Sequence, residues 1–195
     1  MIKDIKIYIL IIFLVIFIGI NIDKTIQKLL FFNYILKHKK YSIKSLEKPT
    51  LIVVTHRVGI EYIERIIVNL EIKYSKIPVH LITNYNYFNI LYNMLTFSNS
   101  KKSLYVKENT VNKAIKSLKS NNHILTFYYK DQTKASSGLY HIAKKTNCPI
   151  LIMDIKFYNN FGLNKMFTVD YKKFDYDKNL EKDEFLEKLT EKMFS

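Results

Sequence analysis

The chain has few of the residues on which glycine-rich phosphate loops, disulfides and thiolate zinc sites depend. Its 195 residues include four glycines and a single cysteine, Cys148. No two of the glycines are close enough in sequence to form the loop by which P-loop and dinucleotide-binding proteins approach phosphate groups. One cysteine excludes an internal disulfide and a zinc site built from several thiolates. These absences exclude proteins with either of the two common nucleotide-binding motifs and small secreted domains that depend on disulfides.

The apolar residues, in contrast, are plentiful and unevenly distributed. They make up 48% of the chain, which is too much for a disordered protein. Residues 7–22 read IYILIIFLVIFIGINI, in which only Asn21 is strongly polar. This run is slightly shorter than the ~20 residues of a spanning helix, but Ile5 and Lys6 can extend it. Two alternatives are less favoured: a cleaved secretory signal would need a small-x-small cleavage site, which is missing, and a buried core helix is rarely apolar on all sides. We therefore expect residues 1–22 to form a single N-terminal membrane anchor.

A basic amphipathic segment follows the apolar run, over residues 23–48. Lysines alternate there with large apolar residues, and Ile26, Leu29 and Leu30 fall near one helical face. Such a helix suits the headgroup interface of an anionic membrane, although a soluble helix packed on its own domain has the same pattern. Residues 1–48 contain nine lysines and three acidic residues, a net charge of +6. Because most of these lysines follow the anchor, the positive-inside rule predicts that the rest of the chain faces the cytosol.

Residues 49–195 alternate short β-branched runs with helical stretches, which is the pattern of an α/β domain. The predicted strands are 51–55, 79–83, 103–106, 123–129, 150–157 and 166–170, and the predicted helices are 60–72, 85–96, 111–120, 136–145 and 183–194. The runs at 51–54 and 150–153 are apolar without alternation, as expected of central strands covered on both faces. We therefore expect a mixed central sheet flanked by helices.

The positive charge is concentrated in the first part of this domain. Residues 49–165 hold 16 basic and 6 acidic groups, whereas residues 166–195 hold 6 and 8. A net charge of +10 next to a membrane anchor favours an anionic partner: lipid headgroups, a phosphorylated small molecule or nucleic acid. Membrane lipids fit this charge best, and nucleic acid is not an expected partner because the anchor holds the domain at a membrane.

The segment THRVGIE, residues 55–61, has the strongest catalytic pattern in the chain. It lies where a buried strand ends and a helix begins, and α/β sheets bind their ligands at such carboxyl ends. His56 can act as a general base because the ordinary pKa of histidine is about 6.5. Glu61 can accept the other imidazole N–H if the loop folds back, and would then orient the ring. With no serine or cysteine beside it, such a pair would activate an incoming hydroxyl. The alternative is a structural histidine at a strand end, with Glu61 a favourable acid at a helix N-terminus.

The order of these segments resembles that of the glycerolipid acyltransferases, which acylate glycerol phosphate and lysophospholipids. THRVGIE is similar to the family's first motif, Asn-His-x-x-x-x-Asp after a strand. Residues 107–155 are similar in layout to the remainder of the family's domain, with matching positions at Lys134, Gly138, Ala143 and Pro149. The likeness covers roughly residues 51–155, and an N-terminal membrane segment is common in the family. The resemblance implies a glycerolipid-acyltransferase-like fold.

The resemblance also implies a membrane-bound enzyme of phospholipid biosynthesis. In such an enzyme His56, oriented by Glu61, deprotonates a hydroxyl of a lysophospholipid or glycerol phosphate. The hydroxyl then attacks the acyl thioester of a co-substrate, acyl-CoA or acyl-carrier protein, and no metal or other cofactor is needed. The acceptor phosphate would be held by basic residues at or near the family's phosphate-binding motifs, namely Arg57, Lys107, Lys130 and Lys134.

The chain departs from the family pattern at several positions. Thr55 and Glu61 stand where the family has asparagine and aspartate. The family's Glu-Gly-Thr-Arg phosphate loop appears here as YYKDQ at 128–132, without its glutamate or arginine. Lys130 and Lys134 would supply positive charge without the bidentate geometry of arginine. An acyltransferase-like protein that binds lipid or membrane without catalysis is therefore the alternative function.

Overall fold

The two apolar runs at 51–54 and 150–153 form neighbouring strands inside a six-stranded sheet. The computed structural model describes residues 43–56, 61–84, 100, 102–106, 108–129, 135–157 and 167–195, which all belong to one unit, Lys40–Ser195. The strands are β1 (Leu51–His56), β2 (Val79–Asn84), β3 (Lys102–Val106), β4 (His123–Tyr129), β5 (Ile150–Phe157) and β6 (Phe167–Phe174). Their order in the sheet is β3-β2-β4-β1-β5-β6.

The sheet is mixed, as the sequence predicts. β1 to β5 run parallel, and β6 pairs antiparallel with β5. The apolar residues of β1, and those of β5 as far as Ile155, are buried, as expected of strands covered on both faces. β6 continues four residues beyond the predicted end at Asp170. It does so because an edge strand tolerates charged side chains such as Lys172 and Lys173.

Four helices lie in the part of the chain that the structure describes. They are α1 (Glu61–Lys73), α2 (Thr110–Lys119), α3 (Ser137–Thr146) and α4 (Lys182–Phe194). Each agrees with its predicted bounds to within one residue, whereas the helix predicted at 85–96 lies outside the described residues. A short 3-10 turn, Ile43–Ser45, precedes β1 and packs on α1. The N–H of the fully buried Ile43 donates to Oε2 of Glu71 on α1 at 2.8 Å.

The direction of the crossovers distributes these helices over both faces of the sheet. The β1-to-β2 connection passes β4 in one direction, while the β3-to-β4 and β4-to-β5 connections run in the opposite direction. Since such crossovers are right-handed, α1 covers one face, and α2 and α3 cover the other. α3 packs on both α2 and α4. The core between β1 and these three helices includes Leu51, Val53, Ile115, Leu139 and Phe185.

α3 begins and ends at residues suited to helix termini. The Ser136 hydroxyl accepts the N–H of Gly138 at 3.2 Å and caps the first turn. Asn147 ends the helix in the left-handed conformation, with φ of 52°. A Cβ at Gly138 would lie 3.3 Å from Cγ2 of Val111 on α2. The absence of a side chain at this position lets α2 and α3 approach closely.

No helix in the described ranges is long and apolar enough to cross a membrane. The predicted anchor, residues 1–22, lies outside those ranges, as does the predicted interfacial segment up to residue 42. The anchor and the boundary between the interfacial segment and the domain stay predictions.

Candidate functional site

The proposed base lies at the carboxyl edge of the sheet, which we define as the ends of β1, β4 and β5. β1 ends at His56 and α1 begins at Glu61, so the main chain has the order of strand, histidine, short connection, acid and helix. The side chains of these two residues lie outside the part of the chain that the structure describes. The same applies to the predicted phosphate-binding residues Arg57, Lys107, Lys130 and Lys134. The structure describes the main chain of His56 and Glu61 and the strands on either side of β1.

The neighbours of β1 bring one predicted segment to His56 and keep another apart. His56 pairs in register with Tyr129, the last residue of β4, so the chain reaches Lys130 from a position beside His56. β3 ends at Val106, just before Lys107, and is separated from β1 by β2 and β4. At about 4.8 Å per strand spacing, the end of β3 lies about 14 Å from β1. The segment after β4 therefore begins much closer to His56 than the segment after β3.

A buried polar pair joins β1 to β5 immediately before His56. The Thr55 hydroxyl donates to Oδ1 of Asp154 at 3.0 Å, and the two residues are aligned in register. Thr55 is fully buried and Asp154 is 1% exposed. The Nζ of Lys156 lies 3.7 Å from Oδ2 of Asp154 and 3.0 Å from Oδ2 of Asp170 on β6. Because a buried carboxylate is costly unless it is paired, these contacts account for its presence in an apolar strand.

These residues belong to a polar row that crosses four strands at one level of the sheet. The row consists of Tyr128 on β4, Thr55, Asp154 and Asp170. Burial raises the pKa of Tyr128, and hydrogen bonding with Ser136 opposes this rise. Tyr128 is therefore protonated at neutral pH, and its contact with Ser136 links β4 to the start of α3. The row lies one residue before the level of the His56–Tyr129 pair.

The structure places a further cation, Arg65, on α1, outside the motifs of the sequence. The guanidinium carbon of the half-buried Arg65 lies 5.4 Å from the ring centre of Phe127, two residues before the end of β4. Beside it on α1, Glu64 is fully buried. The signal for Arg65 in the sequence is its position four residues after Glu61, which puts both on one helical face. A planar guanidinium can bind two phosphate oxygens at once, which an ammonium group cannot do in the same geometry.

Histidines and carboxylates in the described ranges do not assemble into a metal site. No group of three or more metal-ligating side chains is found there. The two buried histidines make contacts of another kind: Nδ1 of His80 lies 2.6 Å from Oγ of Ser117, and Nδ1 of His123 accepts the N–H of Thr50. The predicted independence of metal ions stays a prediction.

Comparison with known proteins does not assign the chain to a family. No model of a protein family matches the chain, and no curated protein is significantly similar to it. The carboxyl edge of the sheet, where β1 ends at His56, is the candidate site.

Proposed function

We propose that the protein is a membrane-bound acyltransferase with a glycerolipid-acyltransferase-like fold. It transfers an acyl chain from a thioester donor to a hydroxyl of a lysophospholipid or glycerol phosphate. One observation carries the proposal: β1, which lies between two parallel strands, ends at His56, and α1 begins at Glu61. A histidine at the ligand-binding edge of an α/β sheet, followed by an acid at the start of a helix, suits base-assisted attack by a hydroxyl.

In the proposed reaction His56 takes the proton of the acceptor hydroxyl as its oxygen attacks the thioester carbonyl. The carbon–oxygen bond of the new ester forms and the carbon–sulfur bond breaks. The leaving thiolate receives the proton that the imidazolium returns. Glu61 orients the imidazole and stabilises its charged form. No electrons are exchanged, and the only co-substrate is the acyl-CoA or acyl-carrier protein donor.

The acceptor phosphate is proposed to bind the cations around this edge. Two of them belong to the segment after β4, whose last residue pairs with His56. Arg65 adds a guanidinium near the end of the same strand, suited to bidentate phosphate binding. The proposed set is Arg57, Arg65, Lys130 and Lys134 around this edge, with Lys107 as a more distant member because β3 ends about 14 Å from β1.

The test is acyl transfer to lysophosphatidic acid by isolated membranes that contain the full-length protein. His56→Ala should lower the rate at least about 100-fold, which is the smaller end of the contribution of a general base. The matched control is His141→Ala, because His141 is an exposed histidine on α3, and it should keep the parental rate. Equal rates for the parent and His56→Ala would rule out the proposed base.

A second candidate function is lipid or membrane binding by an acyltransferase-like protein without catalysis. It is favoured by YYKDQ at 128–132, where the resembled family has its Glu-Gly-Thr-Arg loop. This candidate predicts that the parent shows no acyl transfer. It also predicts that the parent and a His56→Ala, Glu61→Ala double variant float equally with vesicles containing phosphatidic acid.

The membrane location is part of the proposal, with residues 1–22 as a single N-terminal anchor and the α/β domain facing the cytosol. Its support is the apolar run at 7–22 and the lysines that follow it. The protein should stay in the membrane pellet after alkaline carbonate extraction. Added protease should remove the domain from intact microsomes or inverted vesicles, and protection of the domain would reverse the assigned orientation.

A further inference from the structure

We propose that Asp154 is a positioning residue of this site: through the hydroxyl of Thr55 it holds the end of β1, and with it the main chain of His56, in one position. The inference rests on the proposed role of His56 and adds a residue that the resemblance to acyltransferases does not assign. It starts from the 3.0 Å hydrogen bond between Thr55 Oγ1 and Asp154 Oδ1 at the carboxyl edge of the sheet.

Each of the two polar groups directly follows a run of four apolar residues in its strand. β1 reads LIVVTH and β5 begins ILIMDI, and both residues are buried. Valine has nearly the shape of threonine, so an apolar pair would fill the same space without the cost of desolvating a carboxylate. Packing alone therefore does not account for this pair. A hydrogen bond in a dry environment has a preferred distance and direction, which apolar contacts lack.

The ion pair between Lys156 and Asp170, at the outer end of the polar row, is more exposed to water than the hydrogen bond between Thr55 and Asp154. The side chains of Lys156 and Asp170 are 32% and 47% exposed, so solvent screens their ion pair and makes it weak. The bond between Thr55 and Asp154 is shielded from water. Removing the inner bond should therefore affect the site, whereas removing the outer ion pair should not.

The effect on catalysis follows from the covalent chain. Thr55 and His56 share a peptide bond, so a displacement of Thr55 moves the main chain from which the imidazole extends. Proton transfer needs hydrogen-bond contact between the base and the acceptor hydroxyl, and a misplacement of about 1 Å can cost about 100-fold in rate. Binding of the acceptor is assigned to the phosphate-binding cations, and not to Thr55 or His56. Loss of the Thr55 hydroxyl should therefore lower kcat and leave KM for the acceptor nearly unchanged.

The experiment compares three variants of the full-length protein in membranes. Thr55→Val keeps the shape and removes the hydroxyl, and should lower kcat at least about tenfold with KM within about twofold. Thr55→Ser restores a hydroxyl and should stay within about threefold of the parental kcat. Asp170→Asn disrupts the outer ion pair alone, and should stay within about twofold. A folded Thr55→Val variant with kcat within threefold of the parent would overturn the inference.

A second measurement does not depend on acyl transfer. The rate at which diethylpyrocarbonate modifies His56 is read by peptide mass spectrometry, with the exposed His141 as the reference in the same sample. Thr55→Val should change this relative rate at least threefold, and Thr55→Ser should not. If the parent lacks acyl transfer, the proposed function fails. The modification rates then decide the positioning inference alone, and equal rates in the parent and Thr55→Val would overturn it.

The folding of Thr55→Val is checked by circular dichroism. If it is unfolded, the double variant Thr55→Val, Asp154→Leu replaces both polar groups with apolar ones, an exchange that is close to neutral for stability. The same loss of kcat and the same change in His56 modification are expected of it. A folded double variant that retains parental kcat and parental modification of His56 would overturn the inference.

Discussion

The backbone N–H of Thr50 donates a hydrogen bond to Nδ1 of His123, with nitrogen to nitrogen 3.1 Å. Thr50 directly precedes β1 and His123 is the first residue of β4, so the bond ties together the amino ends of two neighbouring strands. His123 is fully buried, and within the described residues its Nε2 has no hydrogen-bond partner. Desolvation by burial lowers the pKa of His123 to about 4. The ring is therefore neutral, and its unprotonated Nδ1 can accept the bond.

This relationship predicts that acid destabilises the domain through His123. The folded-state pKa of about 4 lies below the ordinary histidine pKa of about 6.5, so the unfolded state binds more protons between these two pH values. The free energy of unfolding should fall as the pH falls through this window, by about 3 kcal/mol in total at about 1.4 kcal/mol per pH unit. Urea denaturation of the full chain in mild detergent, at pH 7 and pH 4, measures the change.

Because carboxylates titrate in the same window, the contribution of His123 must be isolated by substitution. His123→Gln keeps an acceptor for the Thr50 N–H and removes the titrating ring. The variant should lose less stability than the parent between pH 7 and pH 4, whereas His141→Gln, at an exposed position, should behave as the parent does. Identical pH dependence of the parent and His123→Gln would contradict the assignment.

The elements of this fold that could be predicted from the sequence are those set by local patterns. Periodic apolar spacing defines α1 to α4, and their bounds agree with the predictions to within one residue. The unbroken apolar runs of β1 and β5 identify strands covered on both faces. The order β3-β2-β4-β1-β5-β6 does not follow from these patterns, because strand order depends on long-range pairing that no local pattern encodes.

The polar row shows why the site was harder to predict than the fold. The sequence contains one carboxylate in the run ILIMDIKF, which is a detectable signal. Its partner Thr55 lies 99 positions away, and the two meet only because β1 and β5 are neighbours in one register. The motifs of the sequence instead point to lysines that lie close to them along the chain. The end of β3, which precedes one of these lysines, is three strand spacings from β1.

Phe185 should be the most sensitive position of α4. It is 1% exposed, and its ring centre lies 5.1–5.5 Å from those of Tyr140, Phe174 and Tyr176. Phe185→Ala removes these contacts and leaves a cavity, so it should lower the free energy of unfolding by about 3–5 kcal/mol. Denaturation monitored by circular dichroism measures the loss.

The matched control for Phe185 lies on the exposed side of the same helix. Lys188 pairs with Glu184 one turn earlier, at 2.7 Å, and both side chains are about half exposed. Lys188→Ala should cost about 0.3–0.5 kcal/mol, which is typical of such exposed helical pairs. A loss for Phe185→Ala as small as that for Lys188→Ala would show that α4 does not belong to the cooperative core.

α4 should also influence the proposed acceptor loop, through Thr190. The N–H of Ala135 donates to Oγ1 of Thr190 at 2.9 Å, and Ala135 directly follows Lys134. Thr190→Val removes the acceptor, and a hydrogen bond worth about 1 kcal/mol corresponds to about a fivefold effect on an equilibrium. KM for lysophosphatidic acid should rise by about this factor with little change in kcat. Thr190→Ser, which keeps the hydroxyl, should retain the parental KM, and an unchanged KM in Thr190→Val would contradict the link.

Cys148 should be nearly inert in the folded protein. It is the sole cysteine of the chain and is 6% exposed. Burial raises the pKa of its thiol, and hydrogen bonding with Thr146 opposes the rise. Since the thiolate is the reactive form, a thiol reagent at pH 8 should label the folded protein at least about 100-fold more slowly than the urea-unfolded chain. Equal rates in the two states would show that the thiol is accessible.

Tyr176 should control this protection, because its hydroxyl donates to the carbonyl oxygens of Ala143 at 3.2 Å and Cys148 at 3.1 Å. Burial raises the pKa of Tyr176 to about 12, so the hydroxyl keeps its proton at pH 8. Tyr176→Phe removes both bonds and should speed labelling of Cys148 about 5- to 30-fold, as expected for the loss of about 1–2 kcal/mol from local stability. Tyr74→Phe alters an exposed tyrosine on the chain after α1, and should leave the rate unchanged. A labelling rate in Tyr176→Phe equal to that of the parent would mean that aromatic packing around Phe185, and not the two hydrogen bonds, closes this part of the core.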